Sequence, residues 1–171
     1  MKTNVKNFTA LSLLLLFYGI SFAQNQNVQN ILNDVKIDSM TFFVKQLTGE
    51  EPVIIGGNPD IIISRHKNHP GNEKAFQFIK EKFQSYGLQA DSLQFSSTGK
   101  NLFGIKEGML YPDKKFIIGA HYDNVAGVPG ADDNASGTAA VLEAARVFSE
   151  YDFPYTIIFA LWDEEEQGLI G

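Results

Sequence analysis

The chain has 171 residues, of which 44% are hydrophobic, and 20 acidic residues outweigh 14 basic ones for a formal net charge of -6. That length suits one domain of ordinary size, and the acidic balance argues against a nucleic-acid partner. With no cysteine, disulfides and a lipid-modified cysteine are excluded, so stability must come from the core or from a metal.

At the amino terminus, Lys2 and Lys6 precede the apolar run ALSLLLLFYGI, which ends in Ser21, Phe22 and Ala23. This is the pattern of a signal peptide over residues 1–23, cleaved after Ala23. The run is too short to span a bilayer, and polar QNQNVQN follows it instead of a basic stop-transfer flank. The mature chain, residues 24–171, is therefore expected to be exported, periplasmic or extracellular, with no membrane span. Its net charge becomes -8, because Lys2 and Lys6 leave and no acid does.

From Val28 to Leu47 apolar residues recur at mostly helical spacing, with Gly49 as the stop. EEPVIIGGNPDIIISRHKNHPG, residues 50–71, reads as a loop with a short strand at Ile61 to Ile63, a lid or a packing arm. His66 and His69 lie there three apart, a spacing that chelates metal on a helix. Pro70 and Gly71 argue against a helix, which favours a surface loop. Asn72 to Tyr86 returns to helical period, with Phe76, Ile79, Phe83 and Tyr86 on one face and Gly87 as terminator.

LQADSLQF and NLFGIKEGM, joined by SSTGK, predict an antiparallel edge pair. KFIIGAH follows the turn signal YPDK as a continuous apolar run, which predicts a strand covered on both faces, and YTIIFALW reads the same way. Between them Ser136 to Glu150 carries an apolar stripe of Val141, Ala144, Ala145 and Phe148, of a length that suits a crossover helix. Strand, helix, strand implies a parallel pair in an α/β sheet.

Ligands of open α/β sheets bind beyond the carboxyl ends of the strands. The first of these strands runs into His121, Tyr122 and Asp123, and the second into Asp163, Glu164, Glu165 and Glu166, while PGADDNASG lies between them. A histidine at a strand end is commonly a satisfied polar residue, and paired acids before a helix commonly complement its dipole. Three such clusters at one sheet edge favour a metal, because so many carboxylates repel one another without a cation. Zinc accepts imidazole and carboxylate together, with His121 as its nitrogen ligand. Residues two apart on a strand share a side, so Asp123 can reach that imidazole and set its tautomer. Asp132, Asn134, Ser136, Gly137 and Glu143 also match a calcium-loop spacing, in the poor context of VAGVPGA with no entering helix.

GAHYDNV, PGADDNASG and ALWDEEEQGLIG, in that order, resemble the three metal-site motifs of the co-catalytic zinc aminopeptidases of metallopeptidase family twenty-eight. The resemblance runs from about Val28 to the end. It implies a three-layer α/β sandwich with a mixed, mainly parallel sheet, two zinc ions per complete site and a peptide or protein amino terminus as substrate. By motif position, His121 would bind zinc, Asp123 would orient it, and Asp133 would bridge the two metals, with a cis peptide to Asn134. Glu165 would be the general base and Glu166 a further ligand, in a hydrolysis by metal-activated water. Asp132 and Glu164 take no metal in that pattern.

The family's remaining ligands and later strands come from downstream segments, so the chain reads as the amino-terminal part of such an enzyme, inactive alone. A glutaminyl cyclase of similar fold is the alternative within the fold, opposed by the ADDNASG loop and the E-E-x-G-L-x-G ending. A noncatalytic calcium-binding module is the alternative outside it.

Overall fold

The computed structural model describes residues 25–171, so the expected signal peptide and its cleavage site lie outside the described residues. The chain divides into two compact units between Asp34 and Val35. In the first, helix α1 (Gln26–Asp34) buries no side chain. Side-chain amide pairs one turn apart, Gln26 to Asn30 and Gln29 to Asn33, line it. No helix among the described residues is long and apolar enough to cross a membrane.

The second unit begins with helix α2 (Ile37–Leu47), which buries Phe43 and Leu47. Next come two short antiparallel strands, β1 (Val53–Ile55) and β2 (Asn58–Asp60). The strand expected at Ile61 to Ile63 is therefore misplaced: left-handed Gly56 and Gly57 turn the chain earlier and pair the residues on either side. The segment that follows is a packing arm, in which Ile62 and Arg65 are fully buried while Ile61 and Ile63 stay exposed.

Helix α3 (Pro70–Ser85) starts two residues before the predicted point. Pro70 does not exclude a helix because it occupies the first helical position, where the missing N–H has no partner to lose. The His69 Nδ1 accepts the Gly71 amide at 2.9 Å and caps the helix. Ala75, Phe76, Phe78, Ile79 and Phe83 form its buried face. Each aromatic ring there contributes on the order of 2 kcal/mol by leaving water.

Strands β3 (Gln89–Gln94), β4 (Lys100–Lys106), β5 (Tyr111–His121) and β6 (Tyr155–Trp162) form one mixed sheet in the order β3-β4-β6-β5. β3 and β4 are antiparallel in the register Gln89↔Ile105 to Gln94↔Lys100, as expected. β4 and β6 are also antiparallel, whereas β5 and β6 are parallel, joined by helix α4 (Ser136–Ser149). The sheet is mixed as predicted, but only one of its described pairings is parallel. YPDK is not a turn. It opens β5, with a register irregularity between Tyr111 and Lys115.

The core lies between the sheet and α2, α3 and α4, where Leu102, Phe159 and Leu161 meet Phe83, Val141 and Leu142. β6 is central and largely buried, but β5 is an edge among the described residues, with Phe116 58% and Ile117 61% exposed. Its apolar run thus does not report a strand covered on both faces here. A continuous apolar pattern encodes a demand for cover, not the element that supplies it. Of the expected three layers, the second unit shows the sheet and one helical layer.

The predicted helix from Val28 to Leu47 breaks at Val35 and Lys36. The Lys36 amide donates to Glu143 Oε1 on α4 at 2.7 Å instead of back along a helix. Burial opposes ionisation of that carboxyl, but hydrogen bonds from Arg146 and the Lys36 amide outweigh it and hold the group below its ordinary value of 4.5. A depressed native pKa adds stability that is present above the unfolded value and lost as pH falls through the native one. Glu143→Gln is expected to lower the melting temperature at neutral pH and to flatten its acid-side fall. Parallel curves for the two proteins over a pH series would refute this linkage.

Candidate metal centre

β5 and β6 end side by side, and the ladder continues one residue past β5, Tyr122 N donating to Trp162 O at 2.8 Å. This sets His121, at the end of β5, beside the turn that follows β6. Thr138 Oγ1, in the first turn of α4, holds the His121 carbonyl at 2.9 Å. Ahead of α4, Ala131–Ala135 forms a five-residue turn after left-handed Gly130, closed by Ala135 N to Gly130 O at 3.0 Å. The Asp133–Asn134 peptide within it is cis, as the resemblance implies. The Asn134 side chain then accepts the Gly137 amide and starts α4. After β6, Glu164 is left-handed and Glu165–Gln167 makes one 3-10 turn ended by Gly168.

All five residues singled out as the site come to this edge. His121 Nε2 lies 3.0 Å from Asp133 Oδ1 and 3.7 Å from Glu165 Oε2. Ligand atoms of His121, Glu165 and Glu166 lie within 4.8 Å of one another. This tight trio includes Glu165, read as base, while Asp133, read as bridge, approaches the same imidazole nitrogen as Glu165 without being part of the trio. The Asp133 side chain is 74% exposed, against 11% for His121. Asp132 is exposed, and its carbonyl accepts Ser136 Oγ at 2.8 Å.

Asp123 is fully buried, and its two oxygens accept the Glu165 and Glu166 amides at 3.2 Å each. Its Oδ1 is 3.3 Å from His121 Nδ1, but that nitrogen is buried without a hydrogen bond. Asp123 therefore fixes the glutamate turn as firmly as it approaches the imidazole. Burial pushes its carboxyl up, against the two amide bonds that favour the charge, and Asp163 adds repulsion. Burial and the Asp133 charge likewise push Glu166 up. One imidazole nitrogen, clustered carboxylate oxygens and a mutual repulsion that a cation relieves form a donor set that fits zinc.

The calcium-loop spacing does not form a site. Both oxygens of Glu143 are taken by Arg146 and the Lys36 amide, and Ser136 and Gly137 already belong to α4. His66 and His69 lie on the arm, outside the acidic cluster, with His69 spent on its cap.

Sequence reasoning missed the support behind the site. Asp163 is fully buried and accepts from Asn72 Nδ2, the Tyr122 hydroxyl, the Lys100 amide and the Glu164 amide. Burial first, and then the Asp163 charge, push the Tyr122 phenol far above its ordinary value, so it donates to that carboxylate. Glu164 turns away from the centre and accepts Ser96 Oγ at 3.0 Å and Thr98 Oγ1 at 2.5 Å. The acids were visible at the strand end. Their partners come from loops, α3 and the start of β4, with no local pattern to announce them.

The mixed sheet and its imidazole–carboxylate cluster beyond parallel strand ends define an α/β unit with a candidate metal centre. Residues 101–171 match the model of peptidase family M28. The chain is 31% identical over 146 residues to aminopeptidase YwaD of Bacillus subtilis, covering 77% of this chain and 32% of that protein. It is 43% identical over 68 residues to a probable zinc metalloprotease of Pyrenophora tritici-repentis, covering 35% of this chain and 16% of the relative. The chain thus spans about a third or less of the length of these relatives. In fold it is similar to a glutaminyl cyclase of Bacteroides thetaiotaomicron, with a TM-score of 0.60 at 20% identity over 77% of this chain and 47% of that one.

Proposed function

We propose that this chain carries the metal centre of an exported zinc-dependent aminopeptidase that hydrolyses the first peptide bond of peptides or proteins. The observation that carries the reading is the meeting of His121, Glu165 and Glu166 within 4.8 Å, with Asp133 on the same imidazole. His121, Asp133 and Glu166 would hold one zinc, and Asp133 would be shared with a second. When bound, zinc supplies a Lewis acid that lowers the pKa of water and polarises a carbonyl.

The chain's own residues do the rest. Glu165, partly exposed beside the imidazole, takes a proton from the attacking water and passes it to the leaving amine. Asp123, buried beneath, keeps the Glu165–Glu166 turn and the His121 ring in place. The relatives' names favour a peptidase over a cyclase, since the cyclase likeness is one of fold.

The test is zinc content by elemental analysis together with hydrolysis of aminoacyl p-nitroanilides, free and amino-blocked, by this chain extended through the downstream segments of such an enzyme and recovered from the periplasm or medium. Zinc and cleavage of the free substrates support the reading. Cyclisation of amino-terminal Gln without anilide hydrolysis would replace it with the cyclase. Retained calcium without zinc would end both. A mass beginning at Gln24 would support export by cleavage after Ala23, and an uncleaved intracellular chain would oppose it.

A further inference from the structure

We propose that Arg65 is a positioning residue of the metal centre, whose buried guanidinium sets the spacing between the His121–Asp123 strand end and the turn that carries Asp133. This rests on the metal reading above. Arg65 is fully buried, yet all of its side-chain hydrogen bonds among the described residues go to backbone carbonyls. Its Nε donates to Tyr122 O at 2.7 Å, the carbonyl between His121 and Asp123. Its Nη2 donates to Gly130 O at 2.8 Å, and that same oxygen accepts Ala135 N to close the turn around Asp133. Nη1 reaches Pro129 O at 3.0 Å and also donates to Leu47 O at the end of α2.

The backbone of the arm completes the clamp. Arg65 N donates to Asn124 Oδ1 at 2.8 Å, and Asn124 Nδ2 holds Val128 O at 2.6 Å, so the strand end and the Pro129 loop are tied twice. The fit is close. A side-chain carbon added at Gly130 would lie 2.9 Å from Nη2 and 2.6 Å from Asp133 O. Burial lowers the guanidinium pKa to about 10, with Asp123 opposing the shift, so the cation persists at neutral pH.

Burying a cation that no carboxylate pairs is costly for the fold, and a planar fork explains why it is retained here. Three rigid nitrogens reach carbonyls on both sides of the centre at once. A lysine is a single point donor and cannot hold both separations.

The experiment compares the unaltered protein with Arg65→Lys in zinc affinity by chelator competition and in the visible spectrum of the cobalt-substituted form. Phe83→Leu, a core substitution away from the site, serves as the stability control. Arg65→Lys is expected to weaken zinc binding by about tenfold to a hundredfold and to shift the cobalt bands. Phe83→Leu is expected to lower the melting temperature and leave both unchanged. An unchanged affinity and spectrum in folded Arg65→Lys would overturn the assignment, whereas failure of the unaltered protein to bind zinc would overturn the metal reading instead. Should Arg65→Lys not fold, Asn124→Ser loosens the same clamp with the cation in place. Weaker zinc binding with shifted cobalt bands would then support the assignment, and unchanged values would overturn it.

Discussion

Glu165→Gln, in the chain extended through the downstream segments of such an enzyme, is expected to retain zinc and lose about a hundredfold to ten-thousandfold in turnover, the range of a positioned general base. The substitution keeps the size and the hydrogen-bonding shape of the side chain but removes its ability to take a proton. Glu165 lies 3.7 Å from His121 Nε2 and is about one-third exposed, so it can face both the cluster and an incoming substrate. Its amide stays bound to Asp123, so the turn should hold its shape in the variant. The measurements are kcat and KM on an aminoacyl anilide, beside the zinc content. An unchanged rate would remove Glu165 as base. Lost zinc with lost rate would make it a ligand, an outcome its place in the tight trio with His121 and Glu166 makes worth separating.

Asp133→Ala should act on the metal and not on the fold. The side chain is 74% exposed and meets the His121 ring at 3.0 Å, so stability without metal should change by no more than about 0.5 kcal/mol. Zinc affinity should fall by at least the roughly tenfold to hundredfold that outlying partners of a ligand produce, because here a ligand itself is lost. Asp133→Asn should fall between, keeping a neutral oxygen donor without the charge. Full zinc occupancy in the alanine variant would break the bridging assignment and leave His121, Glu165 and Glu166 as the centre.

Read alone, the amino-acid sequence determined the parts whose signal is local. The helical period of Phe76, Ile79 and Phe83, the apolar runs ending at His121 and Trp162, and the stripe of Val141, Ala145 and Phe148 specify their own elements. A crossover between two parallel strands then forces both carboxyl ends to one edge. For this reason the order of these elements alone brings the acids and the histidine together.

Tertiary structure decided what depends on distant partners. The Glu143 carboxylate captured the Lys36 amide and broke a periodic helix. His69 capped a helix that Pro70 and Gly71 argued against in the sequence. Arg65 sits in a loop sequence that reads as surface, and only the carbonyls of Tyr122, Pro129 and Gly130, some sixty residues away, give it a reason to be buried. Periodicity reports which face of an element avoids water, whereas a hydrogen bond across the fold exists only once both ends have been brought together.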